Sequence, residues 1–290
     1  MTYICFLNLI DMSPDNKTST VKLTCNNTHS RREFLSTAAS GAVLIGLRGA
    51  GVNVRPAPQD PNELPAGKKL KIIIAGGHPG DPEYGCGGTA ALYTDKGHEV
   101  VFLYLNRGEG GIDGKSGSEA ATVRTAEALS ACKMLNTRAV FATQIDGQAI
   151  VDASHYDEFY RILESEKPDI IFTQWPIDNH RDHRAISTLV YDAWLKLAKS
   201  PTSKHPDLYY YEVSDGEDTF MFSPDFYVDI TPVEARKRAA CYAHASQSPG
   251  MFYSLQEQVS KFRGVERGCK HAEAFIMHVI SHSDLLPPSR

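Results

Sequence analysis

From Lys68 onward, short apolar runs alternate with longer stretches of helical periodicity. Residues 70–75 (LKIIIA) form a β-branched run that stops at Gly76-Gly77, the pattern of a buried strand. Residues 87–96 fit a short helix closed by Gly97, and residues 99–105 (EVVFLYL) a second strand. Ala121, Thr125, Leu129 and Cys132 recur at spacings of three and four, which predicts a helix over 118–135. Residues 139–143 read as a third strand and 156–166 as a third helix, broken by Lys167-Pro168. A fourth strand, 169–173 (DIIFT), precedes a helix over 183–199 with Ile186, Leu189, Val190, Ala193 and Leu197 on one face. Later strands are expected at 208–213 and 226–230 and later helices at 232–244 and 256–262, with no internal repeat. This βαβαβαβα order predicts an α/β fold: a doubly wound, mostly parallel sheet flanked by helices on both faces.

The first 67 residues have a different texture. A polar, Asn/Thr-rich stretch leads to Ser30-Arg31-Arg32-Glu33-Phe34-Leu35 and then to a weakly apolar segment, 36–47. This pattern predicts a twin-arginine export signal and delivery to the periplasm. The apolar run 34–47 is 14 residues long, whereas a spanning helix needs about 20, so a removable segment is expected and no stable membrane insertion of the mature chain. The long stretch before Ser30 is compatible with a start at Met12, and the sequons at Asn16 and Asn26 fall within the segment expected to be removed. Pro56, Pro58, Pro61 and Pro65 mark an extended linker. The predicted organisation is therefore 1–67, signal and Pro-rich linker, followed by one domain over 68–290.

Composition narrows the partners. With 42% hydrophobic and 22% charged residues and a mean hydropathy of −0.30, the 290-residue chain is of ordinary globular type. Its net charge of −5 offers no basic excess for nucleic acid. The six cysteines, Cys5, Cys25, Cys86, Cys132, Cys241 and Cys269, contain no CxxC pair and are read as packing residues.

Two clusters follow predicted strands. Gly76-Gly77-His78-Pro79-Gly80-Asp81-Pro82-Glu83 comes after the first, and Asp178-Asn179-His180-Arg181-Asp182-His183 shortly after the fourth. In an open α/β sheet of order 3-2-1-4-5, ligands bind at the carboxyl ends of strands one and four, so both clusters should meet in one crevice. Imidazoles with carboxylates suit a borderline divalent ion, and three protein ligands with one open position are the mark of catalytic zinc. A competing motif, Gly85-Cys86-Gly87-Gly88-Thr89-Ala90, matches the dinucleotide pattern GxGxxA. It begins too far beyond the strand, and strand two ends at Leu105-Asn106 without the acidic residue that would hold a ribose.

The ordered motifs Gly77-His78-Pro79-Gly80-Asp81-Pro82-Glu83, Arg124-Thr125-Ala126-Glu127, Asp146-Gly147 and His180-Arg181-Asp182-His183 resemble the PIG-L/LmbE-like family of zinc-dependent N-acetylglucosaminyl deacetylases, over about residues 70–275. The resemblance implies a Rossmann-like, LmbE-like sheet and a hydrolase that removes an N-acetyl group from an amino sugar or sugar conjugate. It implies one Zn2+ per chain held by His78, Asp81 and His183, although two imidazoles and a carboxylate also suit Fe2+. His180 would be the unligated imidazole beside the substrate carbonyl, Asp182 its orienting partner, and Arg124 and Asp146 pocket residues. His244, in His244-Ala245-Ser246-Gln247, resembles a recurrent C-terminal feature of the family and is expected at the pocket or against a neighbouring subunit, with a structural hydrogen bond as the alternative. The relatives often assemble, so a homo-oligomer is compatible with the resemblance. From position alone, Glu109 beyond strand two could line the pocket, and Trp175 could stack on a sugar ring.

One position departs from the family: the first Asp of its HPDD motif, usually the general base, is Gly80 here. Asp146, working through a water, is the expected substitute, with Glu83 and Glu109 behind it. The rival reading from Gly80 is a metal-containing glycan-binding protein with little turnover.

Overall fold

The computed structural model describes residues 68–200, 205–213 and 218–281; the export signal and linker read at 1–67 lie outside the described residues. Five parallel strands form the body of the sheet: β1 (Lys71–Gly76), β2 (Glu99–Tyr104), β3 (Arg138–Phe141), β4 (Ile170–Gln174) and β5 (Asp207–Tyr211). β1 is central, with Ile73 paired to Val101 of β2 on one side and to Ile171 of β4 on the other. Two more strands, β6 (Phe226–Asp229) and β7 (Ala272–Met277), extend the edge, giving the order β3-β2-β1-β4-β5-β7-β6. β7 runs antiparallel to both neighbours and is absent from the sequence reading.

Strand residues alternate between two apolar layers. Ile72, Ile74, Val100 and Phe102 pack under α1 (Asp81–Asp95), α2 (Gly117–Leu135) and α5 (Glu234–Tyr242), where Cys86, Ala90, Ala128, Ala131 and Ala240 meet them. On the opposite face, Ile73, Ala75, Val101 and Leu103 meet Phe159 and Leu163 of α3 (Ala153–Glu166) and Ile186 and Leu189 of α4 (Arg181–Ala198). Each Val, Leu, Ile or Phe side chain so removed from water contributes about 1.5–3 kcal/mol, so the sheet is held from both sides. The last helix, α6 (Pro249–Arg267), precedes β7. Cys86, Cys132 and Cys241 are buried and unpaired, as expected of packing residues. Among the described residues, no helix is long and apolar enough to cross a membrane.

Helix boundaries differ from the pattern reading where packing overrides propensity. α1 starts at Asp81 rather than at residue 87 and runs straight through Gly85, Gly87 and Gly88. A Cβ at Gly85 would stand 2.2 Å from a ring carbon of Tyr211, and one at Gly88 2.5 Å from Ile230 Cγ2. Only glycine lets the helix lie this close to β5 and the Ile230 side chain. The GxGxxA glycines are thus a packing face inside α1, not a phosphate-binding turn. The helix expected at 232–244 divides into a 3-10 turn (Thr231–Val233) and α5, and the one at 256–262 lengthens to α6.

α1 is also fastened to β7. Glu273 accepts hydrogen bonds from the backbone amides of Gly88 (2.8 Å) and Thr89 (2.7 Å), and the Lys237 ammonium of α5 lies 2.7 Å from the same carboxylate, all of it buried.

Candidate functional site

The carboxyl ends of β1 and β4 are stitched together. Gln174, last residue of β4, accepts from the Gly77 amide at 2.8 Å and donates through Nε2 to Asp81 Oδ2 at 3.2 Å. The His78 amide also donates to Asp81 Oδ2, at 2.8 Å, so this oxygen is fixed at the start of α1. Two imidazoles converge on it: His78 Nδ1 at 3.2 Å and His183 Nε2 at 3.3 Å. Ligands about 2.0–2.1 Å from a tetrahedral ion are separated by about 3.3–3.4 Å, so each imidazole stands from Asp81 Oδ2 at the spacing of two donors on one ion.

The outward nitrogens of both rings face carboxylates. His78 Nε2 lies 3.2 Å from Asp146 Oδ1 and 3.3 Å from Asp182 Oδ2, and His183 Nδ1 lies 3.1 Å from Asp178 Oδ1. A carboxylate behind each imidazole is the usual support of a metal ligand, because it fixes the tautomer and points the other nitrogen inward. Burial alone would lower both imidazole pKa values. The carboxylates outweigh it: Asp81, Asp146 and Asp182 hold His78 well above its ordinary value, and Asp81 and Asp178 push His183 up to about 9. Asp81, which burial would raise, is drawn well below the carboxylate range by His183 and His78. The carboxylates that raise both imidazoles make the buried site a place that favours positive charge, and this donor set fits a divalent cation.

His180 is the N-cap of α4, and its Nδ1 accepts from the Asp182 amide at 3.2 Å. The neutral ring therefore carries its hydrogen on Nε2, as a donor and not a ligand. Spacing alone would not separate it, since donor atoms of His78, His180 and His183 lie within 4.8 Å of one another, as do those of His78, Asp146 and Asp182. Burial, with His78 and His183 nearby, holds His180 below the usual imidazole value.

Other expected residues take different places. Asp182 meets the His180 ring through its backbone amide and not through its carboxylate, whose Oδ2 accepts from Asn106 Nδ2 (3.1 Å) and the Gly147 amide (2.8 Å) while facing His78. Asp146 lines the cavity, yet Oδ1 faces His78 and Oδ2 accepts from the Gly110 amide, so it supports a ligand instead of standing free as a base. Glu109 braces the loop by accepting from the Arg107 and Asp146 amides. Glu83 is fully buried and does not line the cavity, accepting from Tyr104 OH and the Gly80 amide. Trp175 donates to the Phe220 carbonyl, packs edge-on against Tyr210 and Phe222, and is not a wall of the cavity. Arg124 is a wall residue and donates to the Pro79 carbonyl at 2.7 Å, while Glu127 of the same motif holds the amide and hydroxyl of Ser246. His244 is buried and lines the same cavity, of about 400 Å³.

Asp178, Asn106 and Gln174 were not assigned roles from sequence. Asp178 stands in the second cluster, and a carboxylate just before paired histidines was the available signal. Asn106 and Gln174 end strands and carry no such mark. Gly80, N-cap of α1, has φ of +114°, and the atoms nearest to a Cβ there would be the Tyr84 ring at 3.7 Å and His244 Cγ at 3.9 Å.

Residues 73–194 match the sequence model of the family described as PIG-L, GlcNAc-PI de-N-acetylase. The chain is 28% identical over 228 residues, covering 73% of it and 85% of the relative, to diacetylchitobiose deacetylase of Thermococcus kodakarensis. Among solved structures, N,N'-diacetylchitobiose deacetylase of Pyrococcus horikoshii superposes with a TM-score of 0.65 at 22% identity, over 72% of this chain and 84% of that one. GalB, a 4-carboxy-2-hydroxymuconate hydratase of Pseudomonas putida, does so with 0.66 at 20%, over 73% and 97%. The last pair establishes likeness of fold alone, and the same architecture hosts a hydratase, so the reaction must be argued from the site.

Proposed function

We propose, from the match of residues 73–194 to the PIG-L family model, that the protein is a metal-dependent hydrolase removing the N-acetyl group from an amino sugar or sugar conjugate. The observation that carries this reading is Asp81 Oδ2, set between His78 Nδ1 and His183 Nε2 at 3.2 and 3.3 Å in a cavity of about 400 Å³. Zinc, one per chain, is the ion we assign to His78, Asp81 and His183; bound there it would bring the pKa of a water toward about 7 and polarise the acetamide carbonyl.

The chain's own groups supply the rest. Asp146 and Asp182 beside His78 Nε2, and Asp178 beside His183 Nδ1, set negative charge against the nitrogen of each ring that faces away from Asp81, the position from which a carboxylate would orient a liganding imidazole. Arg124 fixes the intervening loop through Pro79. His180 presents Nε2–H to the carbonyl oxygen as charge gathers on it, the task of an oxyanion donor. Water oxygen forms the new C–O bond, the C–N bond breaks, and nitrogen departs with a proton, leaving acetate and an amine. Known relatives named as deacetylases favour turnover over the glycan-binding alternative, whose support is Gly80 alone.

The test is metal quantification with acetate release from N-acetylglucosamine and N,N'-diacetylchitobiose, before and after chelation. One metal per chain, with release lost on chelation and regained with Zn2+, is expected. A fully loaded protein that releases no acetate from N-acetylated sugars would overturn the reading.

A further inference from the structure

We propose that His244, oriented by Glu83, accepts the proton of the attacking water in place of the carboxylate missing at Gly80, an inference that rests on the hydrolase reading above. His244 Nε2 lies 3.0 Å from Glu83 Oε1. A carboxylate only accepts, so Nε2 carries the ring hydrogen and Nδ1 keeps its lone pair. That Nδ1 is buried and has no partner within the protein, on a side chain that is itself 0% exposed yet lines the cavity. Buried acceptors are ordinarily satisfied, and since this one belongs to a ring that lines the cavity, the partner we assign to it is a donor bound there.

Glu83 is well placed to orient the ring. Oε1 also accepts from Tyr104 OH at 2.7 Å, and Oε2 accepts from the Gly80 amide at 3.2 Å. The result is a base held by a fixed carboxylate, the arrangement that activates water or a nucleophile elsewhere. Position agrees with role: a Cβ at Gly80 would point to within 3.9 Å of His244 Cγ, so the imidazole faces the space an acidic side chain at 80 would enter. The remaining carboxylates are engaged, Asp146 with His78 and Gly110, Glu109 with two loop amides.

In the step this assigns, a water proton passes to Nδ1 while the O–H pair becomes the new bond to the acyl carbon. The C–N bond then breaks, its pair stays on nitrogen, and nitrogen takes the same proton from Nδ1. One water is consumed, and His244 ends neutral as it began.

The experiment compares His244→Gln and His244→Gly with the parent, all zinc-loaded. His244→Gln should keep metal content and circular dichroism but lose kcat by about 10²–10⁴-fold, and 2-methylimidazole should restore rate to His244→Gly in proportion to its free-base concentration. Nitrogen-15 NMR of the parent should find Nδ1 unprotonated and Nε2 protonated in the neutral ring. A His244→Gln variant within twofold of parent kcat, a folded and loaded His244→Gly that 2-methylimidazole does not rescue, or a proton on Nδ1 would each overturn the assignment. Failure of the hydrolase reading itself is distinct, since the parent would then release no acetate.

Discussion

Nδ1 of His183 lies 3.1 Å from Oδ1 of Asp178, whose side chain is 2% exposed. The same Oδ1 accepts from the His180 amide at 2.7 Å, so one carboxylate orients both histidines at the head of α4. Removing its charge while keeping its shape should loosen the metal without abolishing the site. Asp178→Asn is expected to weaken zinc affinity about 10–100-fold, read by competition with a chromogenic chelator. Unchanged affinity would show that Asp178 is not the ring's support.

His78→Ala, Asp81→Ala and His183→Ala should each lose bound metal, because two remaining protein ligands are too few. His180→Ala should retain metal and lose rate about 10²–10⁴-fold. Elemental analysis beside initial rates separates the two classes; parallel loss of metal in His180→Ala would make His180 a ligand.

Chelated protein should have its own pH dependence. His183 in the folded metal-free chain is raised from 6.5 to about 9, so its contribution to stability is complete below its unfolded value and lost as pH rises through 9. His78, raised well above 6.5 by its carboxylates, acts in the same direction. The chelated form should therefore melt lower at pH 9 than at pH 6, and zinc should flatten that slope. Equal Tm values at both pH values after chelation would contradict the electrostatics described.

Gly80→Asp restores the family's acidic pair in space open enough for a Cβ, but on a backbone at φ of +114° that L residues rarely adopt. The strain should cost about 1–3 kcal/mol, visible as a lower Tm. Turnover per folded, metal-loaded molecule should rise, since a carboxylate there would supplement the base. A fall in per-molecule turnover would mean that the glycine makes room for substrate.

Twin-arginine export remains our proposal for residues 1–67. Replacing Arg31 and Arg32 together with Lys in a native-type host should leave precursor in the cytoplasm; unchanged delivery outside it would rule the signal out.

The parallel half of the sheet was legible because each of its strands is a short apolar run beside a clear helix, and crossover handedness then leaves few orders to consider. β7 was not, because Glu273 interrupts its apolar run and finds its partners, Lys237 and the α1 amides, far away in sequence. The start of α1 was misjudged for a similar reason: glycines that weaken an isolated helix are demanded here by the Tyr211 ring and Ile230. At the site, motif and topology brought His78, Asp81, His180 and His183 together. Local reading paired Asp182 with its neighbour His180, whereas the fold delivers His78 to it from the other strand end. Trp175 looked like a sugar platform only because nothing in the sequence reveals Phe220, Phe222 and Tyr210 around it.

The clamp of Glu273 on Gly88 and Thr89 gives the chain an order of assembly. A ribosome that has released every metal-binding motif, through His183, has yet to make the strand that fastens the helix beginning at Asp81. Until that strand arrives, Lys237 has no counter-charge and would be left as an unpaired buried cation, at a cost of about 3–5 kcal/mol. A product truncated before β7 would therefore carry His78, Asp81 and His183 and yet lack the carboxylate that fastens the helix beginning at Asp81.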